Sequence, residues 1–247
     1  MLFRSGGELG GWNLAQLPRQ QRLNEMAFDL SLELVRAADL AAVFQAHSGG
    51  CCDAAYAERL KALPVASRGF LTGSIDLACP IPDRDGVVRW WVIDWKSNWL
   101  GERDGDGEPM ACGPYHYQRQ AMAELMLNCH YPLQAHLYLV ALHRYLRWRL
   151  PGYAPERHLG GYAYVFLRGV PGPLAASVQG EIGQAQANPT MSRLGRAGQA
   201  LSSPMELRFT EPLPDAEVPG IFLERPPLQR VLALEALFAG SREEERR

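Results

Sequence analysis

The chain has 247 residues, and 25 Lys and Arg against 27 Asp and Glu give a formal charge of −2, so overall electrostatics do not favour a polyanionic partner. An apolar fraction of 47% with 21% charged residues is that of a globular chain, long enough for one large domain or two small ones. No stretch approaches the ~20 apolar residues that span a bilayer, and Met1 to Gly11 lack the apolar run of a secretion signal. The expectation is a cytoplasmic protein with no membrane contact.

The five cysteines, Cys51, Cys52, Cys79, Cys112 and Cys129, are odd in number and show no C-x-x-C spacing; they read as reduced thiols without a metal. The chain also lacks a G-x-x-x-x-G-K-[ST] phosphate loop and a strand-linked G-x-G-x-x-G, which removes the common nucleotide-binding signals.

In chain order, residues 1–20 carry Gly6, Gly7, Gly10 and Gly11 and read as a loose arm or a cut end. Leu23 to Leu34 alternates as a strand, with Glu25, Ala27 and Asp29 on one face and Met26, Phe28 and Leu30 on the other. Residues 32–47 are expected to be helical, followed by a short helix at Ala54 to Leu63. Phe70 to Ala78 and Val87 to Trp95 are rich in β-branched and aromatic residues. Pro80, Pro82, Asp83, Asp85 and Gly86 between them supply turn chemistry, so the two segments predict a β-hairpin. Tyr115 to Asn128 and Leu133 to Arg149 show helical spacing, with Pro132 at a position where a first turn tolerates it. Gly161 to Leu167 predicts another strand and Pro227 to Phe238 a closing helix. Residues 171–205, dominated by Gly, Ala, Gln, Ser and Pro, read as a flexible insertion, and 241–247 as a charged tail. There is no internal repeat. Strands mixed with helices around a central hairpin predict a single α/β domain with a mixed sheet over residues 1–247.

The chemistry concentrates on that hairpin. Asp76 ends Gly73-Ser74-Ile75-Asp76, and Asp94-Trp95-Lys96 follows on the paired strand. Side chains two apart on a strand share a face, so Asp94 and Lys96 project together and the hairpin sets Asp76 beside them. Two neighbouring carboxylates repel unless a hard cation joins them, and oxygen ligands suit Mg²⁺ or Mn²⁺. A lysine beside such a site orients and deprotonates water and offsets charge in a phosphorane-like transition state. The ordinary alternative is a cross-strand surface pair contributing ~0.2–1 kcal/mol, and an isolated D-x-K carries no more than that.

The wider pattern goes further. Gly73-Ser74-Ile75-Asp76-Leu77, Ile93 to Gly101 (IDWKSNWLG), Gln134 and Tyr138, and Gly160 to Val170 (GGYAYVFLRGV) closely resemble the nuclease domain of the RecB family, within the PD-(D/E)xK superfamily. The resemblance runs from about Leu23 to Val170 and resumes weakly from Ile221 to Gly240. It implies a restriction-endonuclease-like mixed β-sheet flanked by helices. It also implies a Mg²⁺-dependent exodeoxyribonuclease in double-strand break repair and recombination, with DNA, RecC, RecD and RecA as partners. Asp76, Asp94 and the Trp95 carbonyl correspond to metal ligands, Lys96 to the catalytic lysine, and Glu25 to an upstream acidic residue of the site. Gln134 and Tyr138, four apart on one helix face, correspond to an element that lines the DNA path.

Arg144 and Arg147 belong to a run of five arginines from Arg144 to Arg168 opposed by one acid, Glu156, a local +4 that suits phosphate contact or equally an ordinary solvated face. The tryptophans, notably Trp90, Trp91, Trp95 and Trp99, read as packing residues rather than base-stacking platforms.

The family pattern also carries a metal-binding histidine upstream of the glutamate. Only 24 residues precede Glu25, none of them His, and His47 follows it. The chain is therefore expected to begin inside the nuclease domain, and the competing reading is a truncated, weakly active or inactive fragment that serves as a RecA or RecC interaction module. A restriction-type or iron–sulfur-linked relative is disfavoured by the unclustered cysteines.

Overall fold

A computed structural model describes residue 14 and residues 17–82, 86–171 and 218–240. Most of the expected 1–20 arm, most of the 171–205 insertion and the 241–247 tail lie outside the described residues. Five strands form one sheet in the order β1-β2-β3-β4-β5: β1 (Leu23–Arg36), β2 (Ala66–Pro82), β3 (Val88–Lys96), β4 (Leu159–Phe166) and β5 (Ile221–Glu224). Neighbours are antiparallel except β3 and β4, which are parallel. A parallel neighbour needs a crossover, and α3 (Arg119–Asn128) and α4 (Tyr131–Arg149) lie within it. The other helices are α1 (Ala37–Ala46), α2 (Ala54–Lys61), the single turn α5 (Pro155–His158) and α6 (Leu228–Ala239). The fold is the expected α/β mixed sheet flanked by helices.

Alternation along the strands divides the core in two. Val92, Tyr162, Tyr164, Phe166 and Phe222 face the main core with the helices, whereas Leu77, Cys79, Trp91, Ile93, Ala163 and Val165 form a smaller cluster on the opposite face. Every residue of β4 is buried, as expected of a strand covered on both faces. On the helix face, α4 packs against β1, β3 and β4, which fixes what stands over the end of β3.

Several boundaries differ from expectation for identifiable reasons. Residues 32–34, read both as the end of the strand and as the start of a helix, and residues 35–36, expected in the helix, all belong to β1: Leu32 pairs with Gly69 and Val35 with Ser67 across a bulge, and the helix starts only at Ala37. Pro80 and Pro82, expected in a turn, lie within β2 opposite Trp90 and Val88. β1 ends its pairing at Leu23 opposite Ala78, so beyond that point no strand among the described residues pairs with that side of β2, where a missing N–H breaks no ladder. Residues 115–118 form a 3₁₀ turn and a cap, not the start of α3. Four-residue β5 was not anticipated.

Gly161 fixes the approach of β4 to its neighbours. A Cβ there would run into the Glu224 carbonyl, the Trp91 ring and the Arg225 Cα, none of which is a flexible chain end. Gly161→Ala is expected to cost ~1–3 kcal/mol, read as a drop of several degrees in Tm. Gly105→Ala, where nothing lies within 4 Å, should leave Tm unchanged; equal melting of the two variants would refute this packing constraint.

Candidate active site

The register that pairs Leu77 with Ile93 places Asp76 across from Asp94, one position beyond the last β2–β3 pair. On the other side, Asn24 pairs with Leu77 and Met26 with Ile75, which sets Glu25 level with Asp76. Asp94 in turn pairs with Tyr164 of β4. One row across the sheet thus carries Glu25, Asp76, Asp94 and Tyr164.

Asp76 accepts a hydrogen bond from the Trp95 backbone N–H at 3.0 Å, which holds its carboxylate over the end of β3. Asp94 is only 3% exposed. Its Oδ2 lies 2.6 Å from Lys96 Nζ as an ion pair but receives no aligned hydrogen bond. Burial pushes the Asp94 carboxyl above its usual range and Asp76 adds to the rise, while Lys96 opposes it.

Lys96 is held from several sides. Its Nζ donates to Gln134 Oε1 at 3.1 Å and lies 4.1 Å from the Tyr131 ring centroid and 4.9 Å from that of Tyr164. Gln134 Oε1 also accepts from the Tyr164 hydroxyl at 2.9 Å, and Gln134 Nε2 donates to the Tyr138 hydroxyl at 2.9 Å. Tyr138 packs edge-on against Phe28 of β1. Burial, then Asp94 and Asp76, push its phenol up to about 12. Tyr131 is anchored in turn by its hydroxyl to Asn98 Oδ1.

The structure therefore brings Asp76, Asp94, Lys96, Gln134 and Tyr138 into one network. Glu25 lies on the same row but is exposed. It takes φ 49°, an uncommon value for a residue with a side chain, and its Oε2 is 3.4 Å from Ser74 Oγ. Glu25, Asp76 and Asp94 do not form a three-donor cluster; among the described residues the group of three with ligand atoms within 4.8 Å is Cys51, Cys52 and Glu224.

Arg144 and Arg147 stand elsewhere. Arg144 is ten residues beyond Gln134 on α4, about 15 Å along the axis, and both arginines pair with Glu235 of α6, at 3.4 and 2.8 Å. His143 adds a third contact to Glu235 at 3.1 Å, so this part of the basic run clasps two helices. Trp91 is buried, as expected of a packing residue.

Sequence reasoning gave no role to Tyr131, Asn98 or Tyr164. The strand containing Tyr164 was legible, but its pairing with Asp94 depends on the parallel register, which no local pattern states.

The donor set fits a hard divalent cation in part. Asp76 and Asp94 face each other, Asp94 Oδ2 is buried without an aligned donor, and carboxylate oxygens are the ligands Mg²⁺ and Mn²⁺ prefer.

No protein-family model matches the chain. It is 46% identical over 130 residues to a protein named RecBCD enzyme subunit RecB from Mycolicibacterium smegmatis, covering 51% of this chain and 11% of that one. It is 38% identical over 172 residues to the RecB subunit of Mycobacterium tuberculosis (64% and 14%) and 39% identical over 164 residues to that of Escherichia coli (65% and 12%). The chain thus spans between a tenth and a seventh of the length of these relatives. Among the described residues no helix is long and apolar enough to cross a membrane. Over half to two-thirds of its own length, the chain is a sequence relative of the RecB subunits of RecBCD enzymes.

Proposed function

We propose that the chain is a metal-dependent DNA nuclease domain of RecB type, a single unit that hydrolyses phosphodiester bonds in DNA repair and recombination. The observation that carries the reading is the convergence of Asp76, Asp94 and Lys96 at the end of β3 under Gln134 and Tyr138. Asp76, Asp94 and the Trp95 carbonyl would hold the ion. A bound Mg²⁺ or Mn²⁺ would supply charge neutralisation at the scissile phosphate.

The chain's own groups do the rest. Lys96, fixed by Gln134 and the two tyrosine rings, holds the attacking water through its ammonium and faces the charge that develops on the phosphate oxygens. Gln134 and Tyr138 border the strand's path, and Glu25 adds an exposed carboxylate to the same row. Arg144 and Arg147 are weaker DNA contacts than sequence alone suggested, because Glu235 offsets their charge. In keeping with the name RecBCD enzyme subunit RecB that its relatives carry, the domain works within a multi-subunit assembly with RecC and RecD; RecA is a further partner on the sequence resemblance alone.

Purified chain with Mg²⁺ or Mn²⁺ is expected to degrade linear or single-stranded DNA, and Asp76→Asn to reduce the rate by at least about a hundredfold. No cleavage by the wild-type chain, together with no Mn²⁺ binding by calorimetry, would sink the nuclease reading and favour an interaction module, a reading that the incomplete carboxylate cluster also supports.

A further inference from the structure

At the edge of the main core, a tight turn between α1 and α2 sets two adjacent cysteines against Glu224 of β5. Gly49 and Cys52 exchange backbone hydrogen bonds at 3.0 and 3.3 Å. This turn places the Cys51 and Cys52 sulfurs 3.8 Å apart. Gly50 has φ 63°, and a Cβ there would run into the Glu224 carboxylate, so a glycine at this position lets the acid approach. Cys51 N–H donates to Glu224 Oε2 at 2.9 Å, bridging 173 residues of sequence. Glu224 is 6% exposed, and its Oε1 has no hydrogen-bond partner.

We propose that Cys51, Cys52 and Glu224 form a binding site for a thiophilic divalent cation, Zn²⁺ by its chemistry, that fastens the α1–α2 turn to β5.

The geometry suits that ion. With Zn–S near 2.3 Å, the edge of a tetrahedron between two sulfurs is about 3.8 Å, which is the separation already present. The three donors lie within 4.8 Å of one another, and the Tyr162 hydroxyl, 3.6 Å from Cys51 Sγ, borders the fourth vertex, which an oxygen would fill. A buried carboxylate oxygen without a donor costs about 1–3 kcal/mol, and a cation removes that cost.

The charges also close. Arg230 is fully buried and binds the carbonyls of His47 and Gly49 at 2.8 and 3.0 Å, with no carboxylate among its hydrogen-bond partners. Binding releases the two thiol protons, and Zn²⁺, two thiolates, the Glu224 carboxylate and the Arg230 guanidinium then sum to 2 − 2 − 1 + 1 = 0. Without metal, the hydrogen bond with the neighbouring Cys51 thiol, and then burial, keep Cys52 protonated. A cavity of about 390 Å³ lies against the same turn at Gly50, and its wall also includes Leu159, Gly160, Arg225 and Pro227. The usual C-x-x-C spacing is absent because the third donor comes from a distant strand.

The test uses the reduced full chain with Zn²⁺ or Co²⁺ as the only added metal. One equivalent of Co²⁺ is expected to give a thiolate-to-metal charge-transfer band that Zn²⁺ displaces, and Zn²⁺ to raise Tm. Cys52→Ser should remove the band, and Glu224→Gln, which keeps a side-chain acceptor for Cys51 N–H, should weaken Zn²⁺ binding at least about tenfold. Asp76→Asn and Asp94→Asn should leave both readouts intact, which separates this site from the proposed nuclease centre. Absence of the band in the wild-type chain, or its persistence in both Cys51→Ser and Cys52→Ser, would overturn the proposal.

Discussion

Lys96→Ala is expected to lower Mg²⁺-dependent DNA cleavage by about 10²- to 10³-fold, the range lost when one preorganised donor to a developing negative charge is removed. The size of the effect follows from how completely the side chain is fixed. Its ammonium lies 2.6 Å from Asp94 and 3.1 Å from Gln134, over two tyrosine rings. Lys96→Arg should not rescue, because a planar guanidinium replaces a compact point charge.

The same substitution changes stability with a definite sign. It leaves Asp94 buried without its counter-ion, a loss of about 3–5 kcal/mol when the carboxyl stays ionised. The Asp94 carboxyl, already raised by burial, rises further. A carboxyl whose folded pKa is raised above its unfolded one penalises the fold fully above the folded value and not at all below the unfolded value. The deficit of Lys96→Ala relative to wild type, measured in chelator, should therefore shrink as pH falls towards 4. Cleavage at the wild-type rate would refute the role of Lys96, whereas a pH-independent deficit would refute only the electrostatic account of its neighbour.

Much of this centre is legible locally. The two-residue period of a strand puts Asp94 and Lys96 on one face, turn chemistry sets β2 beside β3, and the four-residue spacing of Gln134 and Tyr138 gives them one helix face. What stays hidden is what depends on contacts distant in sequence. Tyr164 reaches Lys96 because β4 pairs in parallel with β3 across a crossover of more than 60 residues. Arg144 and Arg147 look like free cations until Glu235, about 90 residues away, is placed against them. Pro80 and Pro82 resemble turn residues because proline usually marks one, and only the length of β1 shows that β2 tolerates them there. β5 is too short for alternation to mark it, so Glu224 carries no local signal. Arg230 likewise reads as a polar residue on an amphipathic helix, yet it is fully buried.

Arg230 sets up the second large expectation, a core that loses stability in mild acid through His136. This imidazole is completely buried between Phe44 and Tyr162. Its Nδ1 is 2.6 Å from the Pro132 carbonyl and can only donate to it, while Nε2 lies 3.3 Å from Arg230 and accepts. The pair of partners selects the neutral Nδ1–H tautomer. A second proton on Nε2 would face a guanidinium with no water to screen it. Burial first, then Arg230, lower the His136 pKa from 6.5 to about 3, against the opposing pull of the Pro132 carbonyl.

A histidine with a depressed folded pKa contributes stability that is fully present above the unfolded value and is lost as pH falls towards the folded one. The window runs from 6.5 down to about 3, or 6.5 − 3 = 3.5 units, an upper limit of about 5 kcal/mol at 1.36 kcal/mol per unit. Between pH 7 and 4 the wild-type chain should lose about 3 kcal/mol more than His136→Gln, whose amide can still accept from Arg230 but does not titrate. The carboxylates are common to both chains and cancel in the difference, including Asp94, whose raised pKa acts in the opposite direction. Denaturant melts across that range decide the matter: parallel stability curves for the two chains would show that the His136–Arg230 contact does not control acid unfolding.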